Sequence, residues 1–149
     1  MKLLKCIWIG FWSGLFLGLL LKWIQKVTGE RVYTLILNVD FIPLLGRIEW
    51  SEPIKFAFHL AVSLLISIAY VYLAKRRSYT FGQLTLLSLL MCSPLFLLYF
   101  PLSSLALRTD VPGLTDISAF LYWTFAHLTY ALMLPVLYKT FERKNAASQ

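Results

Sequence analysis

Four stretches of this chain carry no charged side chain: Cys6 to Leu21, Phe56 to Ala74, Ser78 to Leu107 and Ile117 to Tyr138. No other feature limits the fold as severely. A helix of about 20 residues crosses the hydrocarbon of a bilayer, and about 17 suffice, so each stretch holds one span, the first by including Lys22 and Trp23 as it emerges. Composition agrees, with 59% hydrophobic and 14% charged residues, where a soluble domain carries about 25% charged. The chain therefore reads as all-α, a single membrane domain over residues 1–149. It is an integral membrane four-helix bundle with spans near 6–24, 55–74, 80–100 and 117–138. The third stretch is too long for one straight span and too short for two. Pro101, Ser103 and Ser104 place its helix end near Phe100, with the remainder at the surface. Lys2 and Lys5 before an apolar run imitate a secretory leader. Lys22, Trp23 and Gln25 stand where a cleavage site would, so a retained first helix is expected. Cys6 follows Leu3, Leu4 and Lys5, which is no lipid-attachment context.

Within the first span, Gly10, Gly14 and Gly18 recur at every fourth place. At helical spacing they form one row without side chains, along which another backbone can approach closely. Glycine costs a helix roughly 1 kcal/mol against alanine, so contact geometry is expected to fix this segment. Covered by a helix of the same chain, the row serves internal packing; facing lipid, it calls for a partner.

Acids and bases assign the two ends. With four alternating spans, Lys2, Lys5, Lys75, Arg76, Arg77, Lys139, Arg143 and Lys144 share one side with a single acid, Glu142. On the other side six bases meet six acids, so the entire net charge of +7 falls on one face. The positive-inside rule makes that face cytoplasmic, with both termini and the tail 139–149 there. The bases sit in short juxtamembrane clusters suited to anionic headgroups. The lipid bilayer is the expected partner, and nucleic acid is not.

The outer loop 25–54 is no hydrophilic linker. Val32, Leu35, Ile36 and Val39 repeat at helical spacing, and Phe41, Ile42, Leu44 and Leu45 flank Pro43. The segment lies among headgroups or folds back over the bundle mouth. Gly29 and Gly46 punctuate it, and Trp50 with Ser51, Glu52 and Pro53 reads as an interfacial anchor followed by a helix start.

Each later span carries one polar stripe. The second has His59, Ser63, Ser67 and Tyr70, the third Thr85, Ser88 and Cys92, and the fourth Thr124, His127 and Tyr130. Polar groups are costly in lipid, so these stripes are expected to face inward and link the helices. Pro94 should kink or loosen the third helix, and Pro135 lies near the cytoplasmic end of the fourth.

Chemistry is scarce. His59 and His127 lie at similar depths, offset by roughly 6 Å at the helical rise. With no carboxylate inside any span they read as structural histidines, or as a pH-sensitive pair, and no metal is expected. Proton-coupled carriers use intramembrane carboxylates, and small multidrug exporters need a first-helix glutamate where this chain has its glycine row. Cys6 and Cys92 sit at different depths and form no redox pair. Ser13 and Gly14 lack a nucleophile elbow, and no glycine-rich phosphate loop occurs. Arg108, Asp110 and Asp116 could form a surface site on the second outer loop. The stronger reading is a Pro112–Gly113 turn followed by Asp116 as a helix cap.

The glycine-patterned first helix ending in Lys22 and Trp23, the interfacial segment with Pro43 and Trp50, and the basic turn after the second span form a longer pattern. With Gly82 opening the third span and Phe100–Pro101 closing it, the chain resembles the YqhR/YagU-like small bacterial membrane proteins. The fourth helix departs from that pattern at Ala126, Ala131 and Met133. The resemblance implies a bacterial inner-membrane location and no established catalytic residues. The expected function is therefore that of a small membrane protein, not an enzyme and without cofactors. It would act through helix packing as an interaction, scaffold or regulatory subunit, with a homo-oligomer or membrane-protein partner. The alternative is a small-solute transporter or channel subunit, acting as an oligomer and lined by the His59/Ser63/Ser67 and Thr124/His127 stripes.

Overall fold

The computed structural model describes residues 2–107 and 109–147. The helices are α1 (Lys2–Thr28), α2 (Val32–Ile36), α3 (Glu52–Ala74), α4 (Phe81–Leu97), α5 (Tyr99–Ser104) and α6 (Ile117–Ala147). A single 3-10 turn spans Leu45–Arg47, and there is no strand among the described residues. Four segments, Leu3–Thr28, Glu52–Ala74, Phe81–Ser104 and Ile117–Arg143, are long and apolar enough to cross a membrane. The fold is an all-α four-helix bundle, and the chain is a multi-pass membrane protein.

Side-chain contacts fix the directions of the long helices. Residues 59, 63 and 67 of α3 meet 14, 10 and 6 of α1, so these two run antiparallel. Leu95 and Ser88 of α4 meet Trp123 and Ala131 of α6, again antiparallel. α1 packs against both α3 and α6, α4 rests on α6, and α3 touches α4 only lightly. Lys5 of α1 bonds Glu142 of α6, and Tyr70 of α3 bonds the Leu84 carbonyl of α4. The start of α1, the Lys75–Arg77 turn and the end of α6 therefore gather at one end of the bundle.

Several helix ends differ from the sequence-based boundaries. α1 starts before residue 6 and runs to Thr28, and residues 139–147 continue α6 instead of forming a separate tail. The reason lies in Lys5, which is 4% exposed. Its ammonium stands 3.2 Å above the Tyr138 ring and 3.1 Å from the Glu142 carboxylate, which draws the extra turn of α6 onto α1. The third span passes Phe100 because helix resumes after a short break. Pro94 has no N–H for the Leu90 carbonyl, and the Ser93 hydroxyl donates to that carbonyl at 2.9 Å. α4 ends one turn later at Leu97. α5 then carries the span to Ser104, with Pro101 in its first turn, where a missing N–H costs little.

At its start α4 has a full capping box. The Thr80 hydroxyl accepts from the Gln83 N–H, and the Gln83 side chain accepts from the Thr80 N–H. Asp116 caps α6 through the Ala119 N–H at 3.0 Å. Ser51 stands at the N-cap of α3 but makes no side-chain cap bond. The adjacent Glu52 instead accepts from Lys22 at 2.6 Å and from the Tyr33 hydroxyl at 2.9 Å, tying α1 and α2 to the start of α3. Burial and this carboxylate push the Tyr33 phenol above its usual range, so it stays a donor.

Candidate functional site

The glycine row of α1 is covered by α3. A Cβ placed on Gly10 would lie 2.8 Å from the Leu64 Cα, and one on Gly14 would lie 2.6 Å from the Ser63 Cβ. At Gly18 it would strike the Phe56 ring. This contact lets three donors of α3 reach the backbone of α1. Ser67 donates to the Cys6 carbonyl at 2.7 Å, Ser63 to that of Gly10 at 2.8 Å, and His59 Nε2 to that of Gly14 at 2.9 Å. Both partners advance by four residues per rung, so the polar stripe and the glycine row form one antiparallel ladder.

The remaining stripe residues divide. Tyr70 is fully buried and donates to the Leu84 carbonyl at 3.2 Å. Ser88 is fully buried and donates to the Ala131 carbonyl of α6 at 2.8 Å. That carbonyl has no helical partner because the residue four places on is Pro135. Tyr130 meets the Ser63 hydroxyl at 3.1 Å. Cys92 and Cys6 are buried free thiols. Thr85 departs from the expected interhelical stripe: it is only partly buried, and its hydroxyl donates back to the Phe81 carbonyl of its own helix. The Thr124 Oγ1 is buried without a partner.

Residues 29–50 fold back over the outer end of the bundle. Val32, Leu35 and Val39 are buried, as the periodicity anticipates, while Leu44 is 73% exposed at a φ of +74°. Besides the Tyr33–Glu52 bond, ties to the loop and helix beyond α4 hold the fold-back in place. The Asn38 amide donates to the Leu102 carbonyl at 3.0 Å, and Asp40 accepts from the Thr109 N–H at 2.7 Å. Asp110 pairs with Arg31, and Asp116 is the α6 cap; Arg108, the third member of the candidate loop site, lies outside the described residues.

Beneath this roof, α3 stands away from α4 and α6 and leaves a cavity of about 190 Å³. Val62 and Ile66 of α3, Leu95 of α4 and Leu98 just beyond the end of α4 line it, together with Phe41 and Ile42 of the fold-back. Val62 and Leu98 are 53% and 41% exposed, so the cavity opens sideways between α3 and α4. Its polar wall brings together His59, Ser63, His127 and Tyr130, with Lys55 at the mouth one helical turn above His59. His127 Nδ1 donates to the Trp123 carbonyl at 2.8 Å, and its ring lies 4.1 Å from the Trp123 ring.

The sequence reading paired the two histidines but missed Lys55 and Trp123. The signal was present: Lys55 extends the 59–63–67 spacing by one turn, and Trp123 precedes His127 by four. Among the described residues, no three His, Cys, Asp or Glu side chains gather as metal ligands. No protein-family model, curated protein or solved structure matches the chain.

Proposed function

We propose that this is a non-catalytic protein of a bacterial cytoplasmic membrane that works by binding. In this reading the α1–α3 and α4–α6 seams are a fixed scaffold. The outer half is an interaction or regulatory element, whose state depends on what fills the cavity under the 29–50 roof. The carrying observation is that cavity, where both membrane histidines meet under the longest segment between spans. Bacterial origin and the inner membrane rest on the YqhR/YagU-like pattern. Cytoplasmic termini rest on the basic end of the bundle.

The volume sets the scale of the occupant. An engineered apolar cavity of about 150 Å³ takes up benzene, so about 190 Å³ admits one ring with a short substituent. Thermal unfolding of the purified protein in nanodiscs, with and without toluene, tests the binding reading. A ligand at a hundredfold excess over Kd stabilises by about 2.7 kcal/mol, a rise of several degrees in Tm. Leu98→Trp, which fills the cavity, should abolish that rise. A Tm that toluene leaves unchanged would remove the binding reading.

A further inference from the structure

We propose that the cavity recognises a neutral molecule presenting a phenolic hydroxyl, with His127 as its acceptor. The inference rests on the binding reading above and adds the chemistry of the ligand.

The argument is an inventory of donors. The Ser63 hydroxyl proton goes to the Gly10 carbonyl, so at the 3.1 Å Ser63–Tyr130 contact the proton comes from Tyr130. The Trp123 indole N–H is given to the Leu95 carbonyl, and the Asn38 amide to that of Leu102. The donors of Ser63, Tyr130 and Trp123 are therefore spent inside the protein; the second Asn38 N–H and the Lys55 ammonium at the mouth lie beyond this inventory.

Acceptors remain. A carbonyl can only accept, so the proton of neutral His59 is on Nε2, facing Gly14, and that of neutral His127 is on Nδ1, facing Trp123. The lone pairs of His59 Nδ1 and His127 Nε2 are left, and no hydrogen bond from the described residues reaches either one. Neither nitrogen is a sealed orphan, and both rings line the cavity, so a ligand there can reach them; an acceptor that a ligand desolvates without offering a donor is costly. A hydrocarbon leaves them unsatisfied, and a ketone or ether brings only further acceptors. A ring hydroxyl supplies one donor, which we assign to His127 Nε2, and fits the volume. The lateral opening between Val62 and Leu98 gives any tail on that ring a path to the acyl chains.

The test is isothermal titration in nanodiscs, blanked with empty nanodiscs, using 4-propylphenol, 4-propylanisole and 4-propylbenzoate. The phenol should bind about tenfold more tightly than the anisole, which is the loss of one buried hydrogen bond. His127→Phe should reduce that ratio to near one, and the ratio, not either affinity alone, is the readout. This variant loses one bond within α6, whereas replacing His59 would cut the α1–α3 ladder. Equal affinity for phenol and anisole in the unmutated protein overturns the proposal but leaves the cavity a binding site, and this comparison stands even if His127→Phe misfolds. Tighter binding of the benzoate would assign the site to an anionic head at Lys55 and also overturn it. If none of the three binds, the binding reading falls as well. A 4-dodecylphenol arm identifies the source: retained affinity means a membrane-borne ring with its tail in the lateral opening, and lost affinity means a small water-borne phenol.

Discussion

The α1–α3 and α4–α6 seams are both closed by hydroxyl groups donating to backbone carbonyls, yet the bonds do different work. In the α1–α3 seam glycine lets the helices touch, and Ser67 and Ser63 add a second donor to carbonyls that α1 already satisfies by its own N–H groups. In the α4–α6 seam proline has removed a donor, and Ser88 supplies a side-chain partner to the Ala131 carbonyl in its place. The first seam therefore depends on shape and the second on a replaced hydrogen bond. Identical serine-to-alanine changes should cost differently in the two places.

The largest effect should come from the shape of the first seam. Gly10→Val puts a branched side chain against the Leu64 backbone, which cannot yield as a side-chain tip can. Overpacking of this kind costs about 3 kcal/mol or more, measurable by denaturant titration in mixed micelles. A loss below about 1 kcal/mol would mean that α3 does not lie on the glycine row.

Next is Ser88→Ala, which leaves a buried carbonyl unpaired at a cost of about 2 kcal/mol. Pro135→Ala restores a backbone N–H, so in that background the same change should cost about 0.6 kcal/mol, the usual value for a membrane hydrogen bond. Absence of coupling in this double-mutant cycle would erase the distinction between the seams. Ser67→Ala should also cost only about 0.6 kcal/mol, because the Cys6 carbonyl keeps its helical partner. Smallest of all is Lys22→Gln. Its ion pair with Glu52 has both side chains more than half exposed, and a pair so exposed should contribute about 0.3 kcal/mol or less.

Much of the scaffold was legible in the residues. The spans follow from uninterrupted hydropathy, and the row 10–14–18 and the stripe 59–63–67 share a step of four. What periodicity cannot supply is the pairing, since any small face can receive any polar one. Thr85 shows a second blind spot: a threonine can satisfy its hydroxyl within its own helix, so hydroxyl spacing overstates the links between helices. The cavity was not legible at all. It arises where α3 and α4 stand apart, a property of three-dimensional packing and not of any one segment. The roof was read as one of two options, because apolar periodicity suits both a headgroup layer and a bundle mouth.

That α3 of the same chain, and no second copy, occupies the glycine face of α1 can be tested by one cross-link. The Ser13 and Ser63 hydroxyls are 3.4 Å apart across the seam, within reach of a disulfide. In a background lacking Cys6 and Cys92, oxidation of a Ser13→Cys/Ser63→Cys protein in native membranes should give an intramolecular bond that migrates as monomer. Covalent dimer in its place, or free thiols after full oxidation, would contradict the seam on which the account is built.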